Sequence, residues 1–220
     1  MKVFQIWQND VQYPVQLTRQ LGNLAPASIA AAGNLDILQY PGIGLIASIQ
    51  CSGSIIIKTF DVIRRLRNEK IVMIGGFHSP IERDCMDLLL RGSQPVVLCP
   101  ARSLHNLRMG KEARKALADG RLLVLSFFGD EVRRITSSGA ILRNDIVAML
   151  AEAILVPHAA KNGKVWTTVR RALENGQRIL TFEDETNSDL IASGAIAYRN
   201  THIDDIVDDI RLISCRRSTS

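Results

Sequence analysis

A Gly75-Gly76 pair followed by His78, Ser79 and Glu82 is the nearest this chain comes to a reactive grouping. Two glycines let backbone or a ligand approach closely. His78 and Ser79 then stand at the mouth of a turn, and Pro80 is suited to open the next helix. The plainer reading of His78 is a capping or packing histidine. Glu82 is a lone carboxylate that could act as a base, with no partner identifiable in the sequence. A second grouping, Ser48, Gln50, Ser52, Gly53 and Ser54, is small, polar and followed by a helical pattern. Backbone amides in such a turn can cradle a phosphate at a helix N-terminus; a tight turn with a serine N-cap is the plainer alternative. A third, Arg143-Asn144, is expected at the start of a helix over 143–152. There an Arg fork and an Asn amide could hold an anion, and the cation works against the helix dipole. A fourth, Lys161, Gly163 and Lys164, makes a small basic nest beside a helix start.

Other chemistry is excluded by what is missing. Neither GxGxxG nor GxxxxGK[ST] occurs, so the two usual nucleotide fingerprints are absent. There is no GxSxG, no HExxH and no Cys/His spacing for zinc. The expectation is a chain that is not an enzyme and needs no cofactor or metal. Asp204, Asp205, Asp208 and Asp209 alternate with Ile203, Ile206, Val207 and Ile210, which reads as the solvated face of a terminal helix. Four cysteines without regular spacing, in a chain with no leader pattern, read as reduced thiols of a cytoplasmic protein.

These groupings need elements to position them. Short apolar runs at 44–49, 71–74, 96–99, 122–125, 153–156 and 178–182 read as strands, with a last short one over 195–198. Between them, 55–68, 82–91, 111–118, 143–152 and 165–175 have helical spacing, followed by 189–193 and 203–212. A short apolar strand, a turn and an amphipathic helix, repeated, predict an α/β fold: a Rossmann-like, doubly wound, mainly parallel sheet with helices on both faces. Ligands on such sheets bind outside the carboxyl ends of the strands, and all four groupings fall there. Residues 1–40, with a helix over 15–21 and an apolar stretch at 28–32, read as a short helical lead-in; 41–215 is the expected domain and 216–220 a tail.

Composition agrees with one globular unit. The chain has 220 residues, 46% hydrophobic and 22% charged, too apolar for disorder. A net charge of +5 permits an anionic partner without requiring one. The long weakly charged stretch at 40–57 holds Gln, Cys, Ser and Gly and is a poor membrane span.

In order along the chain, the strand-end loops resemble the DprA/Smf DNA-processing (DNA recombination-mediator) family. The likeness runs from about Tyr13 to about Tyr198. Its most specific parts are Arg143-Asn144 followed by Ile146, similar to the family's Arg-Asn-Arg-Ile, and Asn187-Ser-Asp-Leu-Ile-Ala-Ser-Gly-Ala195, similar to its Asn-x-Leu-Ile-x-x-Gly-Ala. Tyr13-Pro14, the Gly75-to-Glu82 loop, the strand from Leu122 and the stretch ending at Thr168 match more loosely. Gln50 stands where the family has the Arg of Gly-Ser-Arg, and Ser48 where it has the Gly. Asp145 replaces a second Arg, His158 an acidic residue and Lys164 a serine. The resemblance covers the family's core alone, without its N-terminal helical domain or C-terminal winged helix. It implies binding of single-stranded DNA at the strand ends, a homodimer and delivery to a RecA-type recombinase. Phosphates would meet Lys161, Lys164 and Arg143, with Phe77 or Trp166 as stacking rings. Most of the 11 aromatic residues (2 Trp, 3 Tyr and 6 Phe) must be core.

Two other classes compete. One is a nucleotide-binding or nucleotide-hydrolysing protein related to the phosphoribohydrolases, whose Pro-Gly-Gly-x-Gly-Thr-x-x-Glu loop is not found here. The other is a partner-docking module with a vestigial pocket.

Overall fold

The computed structural model describes residues 1–199 and 203–215, with the side chains of 203, 214 and 215 left aside. The tail expected at 216–220 lies outside the described residues. Nine strands form one sheet: β1 (Phe4–Trp7), β2 (Ser28–Gly33), β3 (Gly42–Leu45), β4 (Val72–Gly75), β5 (Val96–Leu98), β6 (Leu122–Ser126), β7 (Ala153–Leu155), β8 (Arg178–Phe182) and β9 (Ile196–Tyr198). The helices are α1 (Val15–Leu21), α2 (Gly53–Leu66), α3 (Pro80–Leu90), α4 (Lys111–Ala118), α5 (Ser137–Leu150), α6 (Lys164–Glu174), α7 (Ser188–Ala192) and α8 (Ile203–Cys215).

The spatial order is β1-β2-β6-β5-β4-β3-β7-β8-β9. From β3 onward every pairing is parallel; β2 joins β6 and β1 joins β2 antiparallel. The chain winds outward from β3 through β4 and β5 to β6, then returns to the other side of β3 to place β7, β8 and β9. The reversal leaves a switch point between β3 and β7, where neighbouring strand-end loops leave in opposite directions and open a crevice. The central strands are buried on both faces, which is why each reads as an unbroken apolar run.

Helices cover both faces of the sheet, as the strand–turn–helix pattern predicts. Ile63, Leu66, Leu89 and Ile210, from α2, α3 and α8, pack on Ile43, Leu45 and Met73 on one face. Leu17, Ile146, Val147 and Val169, from α1, α5 and α6, pack on Val72, Ile74, Ile154 and Ile179 on the other. On α8, Ile206, Val207 and Ile210 are buried, while Asp204, Asp208 and Asp209 pair with Arg65, Arg211 and Arg178.

Two expectations need correcting. The first 40 residues are not a purely helical lead-in, because 28–33 is strand β2 and Phe4–Trp7 pairs with it. Alanines 30 to 32 favour helix locally, but their backbone groups find partners in β1 and β6, and the sheet overrides the propensity. The helix expected at 143–152 starts at Ser137, capped by the Thr136 hydroxyl, which accepts from the Gly139 N–H at 3.0 Å. Arg143 and Asn144 therefore lie inside α5, not at its start.

Among the described residues, no helix is long and apolar enough to cross a membrane, and no cluster of His, Cys, Asp and Glu could hold a metal ion.

Candidate nucleic-acid site

The crevice at the β3/β7 switch is a cavity of about 600 Å³. Three turns meet around it. Beyond β3 the chain stays extended beside β7, with the Ile46 N–H donating to Leu155 O and the Ser48 N–H to His158 O. The Ser48 hydroxyl accepts from the Ala160 N–H at 2.9 Å, tying the β3 turn to the β7 turn. Beyond β4, His78 and Ser79 reach the cavity, with Ser79 capping α3. The first turn of α5 and the two residues before it supply Ile135, Thr136, Ser137 and Ala140, and the N-terminus of α6 supplies Gly163, Lys164 and Val165.

Glu82 holds the first two turns in register. Its carboxylate is 4% exposed and accepts three backbone N–H groups: Ala47 at 2.8 Å, His78 at 2.9 Å and Ser79 at 3.3 Å. The Ser79 hydroxyl and Glu82 form a reciprocal capping box on α3. With three backbone N–H groups on its two oxygens, Glu82 acts as a clamp across these turns. It is the sole carboxylate on the cavity wall among the described residues.

Arg143 and Asn144 form the floor, 4% and 7% exposed. Arg143 Nε donates to Asn144 Oδ1 at 2.8 Å and Nη1 to Cys99 O at 3.2 Å, so the guanidinium bridges α5 to the end of β5. Burial lowers its pKa from the usual guanidinium range, while the nearby Glu82 charge opposes that shift. The guanidinium rests directly on Gly76, where a Cβ would fall 1.1 Å from Nη1. Gly76 is thus required by a close approach of a side chain and not of a ligand.

The N-terminus of α6 is bare. Its N-cap is Gly163, no side chain caps it, and no acidic residue lies in its first turn. Lys164, exposed and without an ion-pair partner among the described residues, sits in that turn. Amide dipoles and a free ammonium at one mouth form a ready anion site.

The remaining expected site residues are placed elsewhere. Ser52 caps α2, and the Ser54 hydroxyl donates to Asp184 at 3.3 Å, so the 52–54 turn with Gly53 faces away from the cavity wall. Gly75 ends β4 beneath the Phe77 ring. Lys161 is exposed and paired with Asp189 at 2.9 Å. Phe77 is buried in the core and cannot stack on a base; Trp166 is half-buried against the opposite core and off the wall. The wall instead offers Ile49, Ile135 and Val165 as apolar surface.

His158 Nδ1 lies 2.9 Å from Asn187 Oδ1, and Asn187 Nδ2 donates to Pro157 O, Thr181 Oγ1 and Phe182 O. The Asn187 motif thus works as a buried staple between β7 and β8, behind the cavity. Cys51, half-buried with its thiol donating to Ser48 O, has its pKa pushed up to about 11, mainly by burial and secondarily by Glu82. Its thiolate fraction at pH 8 is about a thousandth. Peptide mass mapping after iodoacetamide treatment at pH 8 is expected to show Cys51 labelled far more slowly than a free thiol, and buried Cys85 and Cys99 unlabelled until denaturant is added.

A mainly parallel, doubly wound sheet with a cavity at its switch point defines the Rossmann-like class of α/β fold. The model of the family described as DNA recombination-mediator protein A matches residues 4–211, and the chain belongs to that family. Its fold matches DNA processing protein A (DprA) from Streptococcus pneumoniae with a TM-score of 0.74 and 24% identity, over 90% of this chain and 71% of that one. It also matches DNA processing protein A from Helicobacter pylori, a structure described as giving insight into a single-stranded DNA binding mode. There the TM-score is 0.75 with 14% identity, over 96% of this chain and 97% of that one. The molybdenum cofactor binding protein of Rippkaea orientalis is similar at a TM-score of 0.56 and 12% identity, over 79% of this chain and 97% of that one. No curated protein sequence matches significantly.

Proposed function

We propose that this chain binds single-stranded DNA in the cavity over the β3/β7 switch and serves as a recombination mediator in the cytoplasm, acting as a binding protein and not an enzyme. The observation that carries this reading is the bare α6 N-terminus with unpaired Lys164, set beside a floor of buried Arg143 and Asn144. Family membership supports it, and the strand-binding Helicobacter pylori protein shares the fold. A phosphate is received at the α6 amides and Lys164, and the adjoining sugar and base lie against Ile49, Ile135 and Val165. The homodimer and the handover to a RecA-type recombinase are proposed from the family alone.

The test is fluorescence anisotropy of a labelled single strand of about 20 nucleotides, longer than one typical site, at two or more salt concentrations. Lys164→Ala is expected to weaken binding about three- to tenfold at low salt and to flatten the salt slope by about 0.7, the loss of one phosphate contact on a single strand. Lys161→Ala should do less, since that ammonium is shared with Asp189. Absence of salt-sensitive binding at low ionic strength sinks the reading.

A further inference from the structure

We propose that a second cavity, at the opposite end of the sheet from the strand-end crevice, binds a small organic cation that carries several N–H donors, of the guanidinium class. The site is independent of strand binding and shares no lining residue with the crevice.

The cavity has a volume of about 400 Å³ and is lined by Gln20, Met149, Ala151, Glu152, Asn175 and Gln177. Glu152 and Gln177 immediately precede β7 and β8, so it opens at the amino ends of those strands. Three helices finish there. Ala151 and Asn175 are the C-caps of α5 and α6, and Gln20 lies in the last turn of α1. Helix carboxyl ends carry partial negative charge on their terminal carbonyls and favour a cation. The chain supplies none at the wall, which holds no Lys, Arg or His. α5 has no basic residue in its last turn, and Arg171, in that of α6, is drawn to Asp145 at 2.6 Å. Arg19, in the last turn of α1, is exposed and off the wall.

The Gln177 amide is fixed by its partners. It meets the carbonyl oxygens of Ala148 and, at 2.8 Å, Ala151, which can only accept, so the atom facing them is Nε2. Both hydrogens of that nitrogen are then engaged, and Oε1 is turned away. Among the described residues Oε1 has no hydrogen-bond partner, and it is not one of the polar atoms sealed from solvent. It is what Gln177 offers the cavity. Gln20 Nε2 likewise donates to Met149 O, at 3.5 Å, which leaves its own oxygen outward. Glu152 adds a carboxylate. Apart from the Asn175 amide, which can turn either way, the side chains of the wall present acceptors. A ligand suited to it brings donors and a positive charge. One carboxylate among neutral oxygens is too little for a divalent metal ion, whose sites gather several charged oxygens. A guanidinium carries five N–H groups in one plane and can serve a carboxylate and an amide oxygen at once. The volume is within the range of pockets that enclose a small molecule.

Titration of the isotope-labelled protein with methylguanidinium chloride, followed by amide chemical shifts, tests this. Saturable shifts are expected at Ala151, Glu152, Gly176 and Gln177, half-complete at about 1–10 mM, the affinity of one charged contact with a few hydrogen bonds. Tetramethylammonium chloride, equal in charge and without N–H groups, is expected to bind at least about tenfold more weakly. Glu152→Gln, which keeps an acceptor and removes the charge, is expected to weaken methylguanidinium about three- to tenfold. Gln20→Ala, at an exposed position, is expected to weaken it about two- to threefold, and it keeps the test open if the Glu152 variant fails to fold. Equal shifts with the two cations mean charge screening alone and overturn the proposal. So do shifts scattered over the acidic surface, a titration still linear at about 50 mM, or binding that both variants leave unchanged.

Discussion

Glu82→Ala is expected to lower the unfolding free energy by about 3 kcal/mol and the melting temperature by about 6–12 °C. The carboxylate is the shared acceptor of Ala47, His78 and Ser79, which belong to the turns after β3 and β4. Removing it strands those N–H groups, the ones from Ala47 and Ser79 in buried residues, and a buried orphan donor costs about 1–3 kcal/mol. It also leaves the buried Arg143 without the nearby negative charge that opposes its desolvation. The α3 capping box is lost as well. Glu82→Gln should fall between the alanine variant and the wild type, because one end of the amide must face an N–H group. Urea unfolding followed by circular dichroism measures the effect. A loss below 1 kcal/mol for the alanine variant means that the clamp does not hold the turns. Strand affinity should fall along with stability, because the Ala47–Gln50 wall is anchored through this carboxylate.

The parallel core was legible because strands buried on both faces must be apolar throughout, and the runs at 71–74 and 122–125 are. The expectation that ligands meet the strand ends also placed Ser48, Gln50, His78, Ser79, Gly163 and Lys164 on one cavity wall. Other features depend on contacts distant in sequence. β2 is rich in alanine and becomes a strand through its pairing with β1 and β6. Residues 137–142 lack an apolar stripe, so the first turns of α5 went unread although Thr136 stood there as a cap. That shift changed the chemistry of Arg143 from an exposed anion fork to a buried bridge. Glu82 carried a readable signal, the Ser79-x-x-Glu82 capping box, which points to an N-terminal clamp sooner than to a base. No local pattern could reveal that Arg143 lies on Gly76, since 66 residues of chain lie between them.

Gly76→Ala is expected to raise the dissociation constant for a single strand about tenfold or more, through the loss of an oriented charged donor, and to cost about 2 kcal/mol of stability by overpacking. The added methyl would lie 1.1 Å from Arg143 Nη1 and 1.8 Å from Cζ, so the guanidinium must leave. Its bonds to Cys99 O and Asn144 Oδ1 break, and the Asn144 amide loses the partner that orients it. The floor is disordered without any change in a residue that touches the ligand. A double-mutant cycle separates this from simple backbone strain. An Arg143→Ala background removes the three atoms nearest that methyl, and Gly76→Ala should then cost under about 0.5 kcal/mol, so that the two substitutions couple strongly. Additive effects would mean that the methyl acts on the β4 turn itself. In that case Arg143 does not rest where the cavity floor requires it, and the Asn144 amide is oriented by something other than Arg143.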